Sequence, residues 1–334
     1  MRPFSIGNIL INPPVMLAPM EDVTNGAFRR VVKQIANPGL MFTEFVSAMA
    51  VHFNAKKTFR KMRVHPEERP LGIQIFGGDP CIMAETAAIC ERFGADLVDI
   101  NMGCWVPKVC RTGSGAALLK SPDLAQSIVA SVVNAVKIPV TVKVRAGWNY
   151  ELFAAPELAK RFQDVGAQAV TLHARFAKQG FEGEADWRLI EAMRKAVSIP
   201  LIGNGDVRSG GDALRMFLET GCDGVMVGRA AISNPWKLRD IIAEVCGTAQ
   251  GPEPSLEERI STALLHLRLM IEDVGDEISA VRALRGQLPL YIKGVPGAAA
   301  VRNELVRIET YSDAEAILNK LATSVTSRAC IPAR

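Results

Sequence analysis

The sequence predicts an α/β fold, a (β/α)8 TIM barrel with a small C-terminal all-helical domain. Three observations predict it. Eight short apolar, β-branched runs recur over the first three quarters of the 334 residues. Helical patterns lie between most of them, so the strands run parallel and are covered on both faces. Past Cys246 the alternation stops and only helical spacing continues. Eight strand–helix units favour a closed ring over an open sheet, and the length suits a barrel of about 250 residues plus a smaller domain.

The predicted strands are Val15–Met20, Leu40–Glu44, Gly72–Phe76, Leu97–Met102, Val140–Arg145, Ala169–His173, Leu201–Asn204 and Gly224–Gly228. Helices are predicted at Cys81–Phe93, Leu124–Val136, Glu157–Val165, Trp187–Val197 and Asp212–Thr220. Ser121 before Pro122, and Ser209 three residues before Asp212, read as helix starts. Residues 1–246 therefore form the barrel, 247–254 (GTAQGPEP) a linker, and 255–334 the helical domain. In the last, Ser255 and Glu258 are spaced as a capping box before an apolar stripe from Leu256 to Val274. Further helices are predicted over Ile278–Leu288, over Ala298–Ile308, and from Ser312, with Ser312 spaced to cap against Glu315.

Hydrophobic residues make up 49% and charged residues 22%, an ordinary globular balance that excludes a disordered chain. The net charge of +4 is a mild bias towards anionic partners. Seven cysteines without a C-x-x-C pair argue against a zinc site or a disulfide framework, and no metal is expected. The N-terminus lacks the basic-then-apolar order of a signal peptide, and no run of about 18 apolar residues occurs. A cytoplasmic monomer with no membrane partner is the expectation.

Active sites of such barrels form at the C-terminal ends of the strands. Polar residues gather there: Pro19-Met20-Glu21-Asp22, Glu44, Gln74, Asn101 to Cys104, Lys143 and Arg145, His173 and Arg175, Asn204-Gly205-Asp206, and Gly228-Arg229. The seventh and eighth loops are the usual phosphate site. There Gly205 and Gly228 allow close backbone approach, Arg229 adds a fixed charge, and the helix after Ser233-Asn234-Pro235 adds a positive dipole end. Read singly, these glycines are also compatible with tight turns. A phosphorylated cofactor bound there would lie across the mouth, above Lys143 and His173.

These residues carry a resemblance. APM with DVT nearby (from Ala18), IQIFG (from Ile73), DINMGC (Asp99–Cys104), VKVRAGW (from Val142), LHAR (from Leu172), GNGD (from Gly203), VGRA (from Val227) and LYIKGVPGAAAVRNEL (from Leu290) follow one another in order. The chain thus resembles the tRNA-dihydrouridine synthases, most closely their bacterial B type. The resemblance implies FMN as cofactor, NADPH (or NADH) as reductant and tRNA, not DNA, as partner. It implies that uridine is reduced to 5,6-dihydrouridine, with Cys104 giving the proton to C5 and the reduced flavin giving hydride to C6. An ordinary thiol keeps its proton at neutral pH and suits that role; a buried structural cysteine is the alternative.

The same resemblance places Pro19, Met20, Gln74, Lys143, His173, Asn204, Gly205, Asp206, Gly228 and Arg229 around the flavin. Lys143 would answer the negative charge of the reduced ring, or else pair with Asp99. Asn101, Arg145 and Arg175 are expected to meet the substrate, Arg175 alternatively forming a surface ion pair. The family usually has proline directly after the cysteine; here stand Trp105, which would be free to stack on a base, and Pro107. Cys110, on the same loop, is a secondary candidate acid. Lys56, Lys57, Arg60, Lys61 and Arg63 form a basic run that is either a solvated helix face or an RNA contact. In the tail, Arg282, Arg285 and Arg302 are expected to share a face for the tRNA backbone. Competing functions are an FMN dehydrogenase of the dihydroorotate dehydrogenase type, a flavoprotein RNA methyltransferase and a non-catalytic RNA-binding relative.

Overall fold

A computed structural model describes residues 1–232 and 234–329, the last five of these by backbone only. Ser233 and Cys330 lie outside the described residues. The chain opens with a hairpin, β1 (Phe4–Ile6) and β2 (Ile9–Ile11), turning at Gly7 with a φ of 57°. Then come β3 (Val15–Leu17), α1 (Gly26–Ile35), β4 (Met41–Phe42), β5 (Val46–Ser47), α2 (Ala48–His52) and α3 (Lys56–Lys61). They are followed by β6 (Leu71–Phe76), α4 (Pro80–Arg92), β7 (Leu97–Met102), α5 (Pro107–Cys110) and α6 (Pro122–Ala135). The barrel continues with β8 (Val140–Arg145), α7 (Ala155–Asp164), β9 (Ala169–His173), α8 (Arg188–Arg194), β10 (Leu201–Asn204), α9 (Gly210–Thr220), β11 (Gly224–Val227) and α10 (Pro235–Cys246).

The strand order β3-β11-β10-β9-β8-β7-β6-β4 is parallel throughout. A parallel bridge from Met16 to Leu40 joins its two ends and completes the ring. The expected eight-stranded barrel is thus observed, with four strand ranges (β7 to β10) as predicted. The second strand differs: it breaks after Phe42, and β5 resumes the pairing with β6. At the break, side chains take backbone donors, Thr43 from Gln74 and Glu44 from Asp22. Inside the ring, Met16, Ala18, Leu40, Phe42, Leu97, Ala169, Ile202 and Met226 pack into one cluster with Ile6 and Ile11 of the hairpin. The hairpin therefore stoppers the N-terminal end.

The linker leads into α11 (Leu256–Val274), α12 (Glu277–Leu284), α13 (Leu288–Tyr291), α14 (Ala298–Leu305) and α15 (Tyr311–Ala329). These helices have their own apolar core, joined by Trp236 of α10. Ala27 and Val31 of α1 pack on Leu269 of α11, and Asp273 lies 3.2 Å from His65. Behind that contact, Arg29 and Glu68 form a fully buried ion pair at 2.8 Å.

Several predicted helix ends need correction. Ser209 caps Asp212 as predicted, but Ser121 makes no side-chain cap bond. Ser255 accepts from Glu258, yet the Glu258 carboxylate accepts from the Trp236 indole instead of closing the box. The helix predicted over Ile278–Leu288 stops at Leu284, because the Pro289 ring would clash with the carbonyl four residues earlier. The last helix is capped by a reciprocal pair, Thr310 with Asp313, two residues ahead of the predicted Ser312 and Glu315.

Candidate active site

At the C-terminal ends of the strands a cavity of about 450 Å³ opens to solvent. Ala18 and Met226 appear in its floor and also in the packed barrel interior. All ten predicted flavin residues line it, Pro19, Met20, Gln74, Lys143, His173, Asn204, Gly205, Asp206, Gly228 and Arg229, with Asn101, Cys104 and Arg145; none of the three tail arginines does. Period-two alternation places Gln74, Asn101, Lys143, His173 and Asn204 at corresponding ends of consecutive parallel strands.

A chain of hydrogen bonds crosses the strands and fixes the cysteine. Asp99 accepts from Thr141 and from the Gln74 amide, both at 2.6 Å. Gln74 in turn accepts from the Asn101 amide at 2.9 Å. The Asn101 carbonyl accepts the backbone N–H groups of Gly103 and Cys104 at 3.0 and 2.9 Å. Asn101 thus holds the start of the Cys104 loop rather than presenting both amide groups to a ligand. Burial raises the Cys104 thiol above its ordinary value, with Arg145 acting weakly the other way. Burial also raises Cys110, whose thiol donates to the Cys104 carbonyl at 3.4 Å.

Lys143 does not pair directly with Asp99, whose two oxygens serve Gln74 and Thr141; its ammonium donates to Asn204 at 3.2 Å. Burial, reinforced by Arg145, lowers Lys143 to about 8. His173 is held neutral, lowered by burial and then by Lys143, Arg145, Arg175 and Arg229. Arg175 lies 3.3 Å from His173 Nε2. A guanidinium only donates, so Nε2 is the acceptor and Nδ1 carries the proton.

Two predicted substrate contacts are largely engaged by the protein itself. Arg175 is 1% exposed and binds Asp206 at 2.6 Å and the Gly183 carbonyl at 2.8 Å. Arg145 is 2% exposed and donates to the carbonyls of Gly103, Phe176 and Gly180. Both tie loops together from beneath. Burial acts upward on Asp206, but its bonds to Arg175 and to the Ala185 N–H outweigh this and hold its carboxyl low. Asp206 also takes Arg229 at 2.7 Å, and Arg229 lies over the Phe181 ring at 4.7 Å. Phe181, between Gly180 and Gly183, is half exposed at the cavity rim. Sequence reasoning passed over it, although an aromatic flanked by glycines after a barrel strand marks a projecting loop.

Beside the mouth, carboxylate oxygens of Glu21, Asp22 and Glu44 lie within 4.8 Å of one another. Lys61 of the basic run answers them, at 2.5 Å from Glu21 and 3.3 Å from Glu44. Arg63 faces Asp273, while Lys56, Lys57 and Arg60 are exposed. In the tail, Arg282 and Arg285 both approach Glu309, at 3.3 and 3.6 Å, and Arg285 also donates to the Ile308 carbonyl. Arg302 is half-buried. Gln287 of the tail reaches the barrel mouth, donating to the Asp22 carbonyl at 2.6 Å.

Comparison with known proteins agrees with this geometry. The family model for dihydrouridine synthase matches residues 16–327. The chain is 36% identical over 330 residues to a probable tRNA-dihydrouridine synthase 1 of Synechocystis, covering 99% of this chain and 92% of the relative. It is 38% identical to a probable tRNA-dihydrouridine synthase of Aquifex aeolicus, covering 88% and 92%. It is also 36% identical to tRNA-dihydrouridine synthase B of Xanthomonas campestris, covering 91% of each. Among solved structures, morphinone reductase in complex with tetrahydroNAD superposes with a TM-score of 0.53 at 15% identity, covering 76% of this chain and 92% of that one. That likeness concerns the fold.

Proposed function

The chain belongs to the dihydrouridine synthase family, and from that premise we propose that it reduces the C5–C6 double bond of D-loop uridines in tRNA. The observation that carries this reading is a half-buried thiol, Cys104, its pKa raised by burial and its backbone N–H held by Asn101, at the wall of a cavity rich in cations. FMN is the cofactor and NADPH or NADH the reductant in this reading. The residues fit a flavin: the floor is apolar, Lys143 has one protein acceptor for three N–H donors among the described residues, and Arg229 stands half exposed at the rim. Pro19, Met20, Gln74, His173, Gly205, Asp206 and Gly228 complete the enclosure.

FMN, when bound and reduced, supplies hydride to C6 of the uracil. Cys104 supplies the other half, giving its thiol proton to C5; the thiolate left behind lies in the field of Arg145. Lys143, lowered to about 8, is mainly charged at neutral pH and would stabilise negative charge on a reduced flavin. Neutral His173 offers its Nδ1 proton as a hydrogen bond and leaves proton transfer to the thiol. Asn204, bonded to the Met226 carbonyl at 2.8 Å, keeps Lys143 in place. Residues 255–334 serve as the tRNA-binding domain in this reading, through Arg282, Arg285 and Arg302.

Mass spectrometry of tRNA nucleosides tests the reading. A strain lacking the gene is expected to lose dihydrouridine at one D-loop site and to regain it with the wild-type gene. Unchanged dihydrouridine in a strain with no second such enzyme rejects the proposal.

A further inference from the structure

A second recess, of about 420 Å³, opens beside the first. Trp105, Pro107, Arg111, Trp148 and Lys178 line it. Trp105 also lines the larger cavity, so a single indole forms the partition between the two. That partition is supported from behind. Trp105 meets Phe181 edge to face at 6.2 Å, and a Cβ on Gly180 would lie 3.5 Å from the indole.

The charge around the recess is of one sign. Lys120 sits over the Trp148 ring at 4.4 Å. Lys108, Arg111, Lys120 and Lys178 are all exposed, and none has a carboxylate partner among the described residues. No acidic side chain lines the recess. Elsewhere at this mouth cations are answered, half-buried Lys61 by two glutamates and exposed Arg229 by Asp206. Indoles beside unanswered cations are the combination that takes a nucleobase by its face and a phosphate by its charge.

An enzyme that acts on a base must take it out of its stack, which also bares the face of each neighbouring base. A slot one side chain away from the catalytic cavity restores stacking to one of them. We propose that the recess between Trp105 and Trp148 binds the base of the nucleotide next to the target uridine, with Arg111 and Lys178 on the flanking phosphates. This rests on the reading that the substrate is RNA.

The test uses the flavin-loaded enzyme and D-arm RNAs that are intact or lack the base on the 5′ or the 3′ side of the target uridine. Loss of the base on one side is expected to weaken binding roughly tenfold or more. Trp148→Ala, its fold checked by flavin content, is expected to bind intact RNA as weakly and to lose the distinction. Arg111→Ala with Lys178→Ala, both at exposed positions, is expected to weaken all the RNAs alike and to flatten the salt dependence. If wild-type enzyme binds both base-lacking RNAs as tightly as the intact one, the proposal is overturned without recourse to any variant. A Trp148→Ala protein that still senses the missing base overturns it too. If the wild type neither binds nor reduces intact RNA, the reading of the substrate fails first.

Discussion

Cys104 keeps its proton because burial disfavours the thiolate, and Asn101 holds the backbone of the loop that carries it. Cys110 lies on the same loop but donates to the Cys104 carbonyl, a supporting bond. Cys104→Ala is therefore expected to slow uridine reduction by about a hundredfold or more, with flavin reduction by NADPH intact. Cys110→Ala is expected to cost only a few-fold, which single-turnover assays of each half-reaction would resolve. Equal loss in the two variants contradicts the assignment. The candidate site is legible in the sequence at Cys104, Lys143 and His173, because the ends of parallel strands must share one mouth. Arg145 and Arg175 are less so. Strand position tells which mouth a side chain reaches, but not that three carbonyls or an aspartate will engage it below the surface. Phe181 comes from a loop whose path follows from those hidden bonds.

At the scale of elements, periodicity defines β7 to β10 to the residue, since both faces of those strands are buried. It misses the hairpin, although Gly7-Asn8 between two apolar runs is a turn signal. In the tail, competing caps are two residues apart, and only packing chooses between them. That packing leaves His266 of α11 fully buried, its Nδ1 3.1 Å from the Tyr291 hydroxyl. Burial lowers His266 from 6.5 to about 3. Between those values the unfolded chain binds a proton that the folded chain excludes, so stability falls as pH falls through this window. The loss between pH 6.5 and 4 is expected to be roughly 3 kcal/mol. Urea midpoints across that range check it against the double variant His266→Leu with Tyr291→Phe, which should lack this part of the acid loss. Parallel acid profiles for the two proteins would remove His266 as a cause.

At the scale of the molecule, the tail is held to the barrel by α1 against α11, by His65 and Arg63 with Asp273, and by Gln287 at the mouth. Its basic face is less bare than the sequence alone indicates, because Glu309 faces two of the three arginines. Replacing Arg282, Arg285 and Arg302 by alanine is expected to weaken tRNA binding and lower the salt slope by about one per lost phosphate contact. Glu309→Gln is expected to move both quantities the other way. Unchanged tRNA affinity across several salt concentrations in both proteins would leave the tail as a cap on the barrel. The stoppered end of the barrel has a kinetic consequence. With Ile6 and Ile11 packed against the strand interior up to Ala18 and Met226, the N-terminal end of the barrel is filled and the cavity opens at the opposite mouth. In the proposed reaction a nicotinamide and a uridine would reach the same ring through that mouth in turn, the first leaving before the second enters. Double-reciprocal plots at several fixed tRNA concentrations should give parallel lines, and lines that converge would mean that both visitors fit inside together.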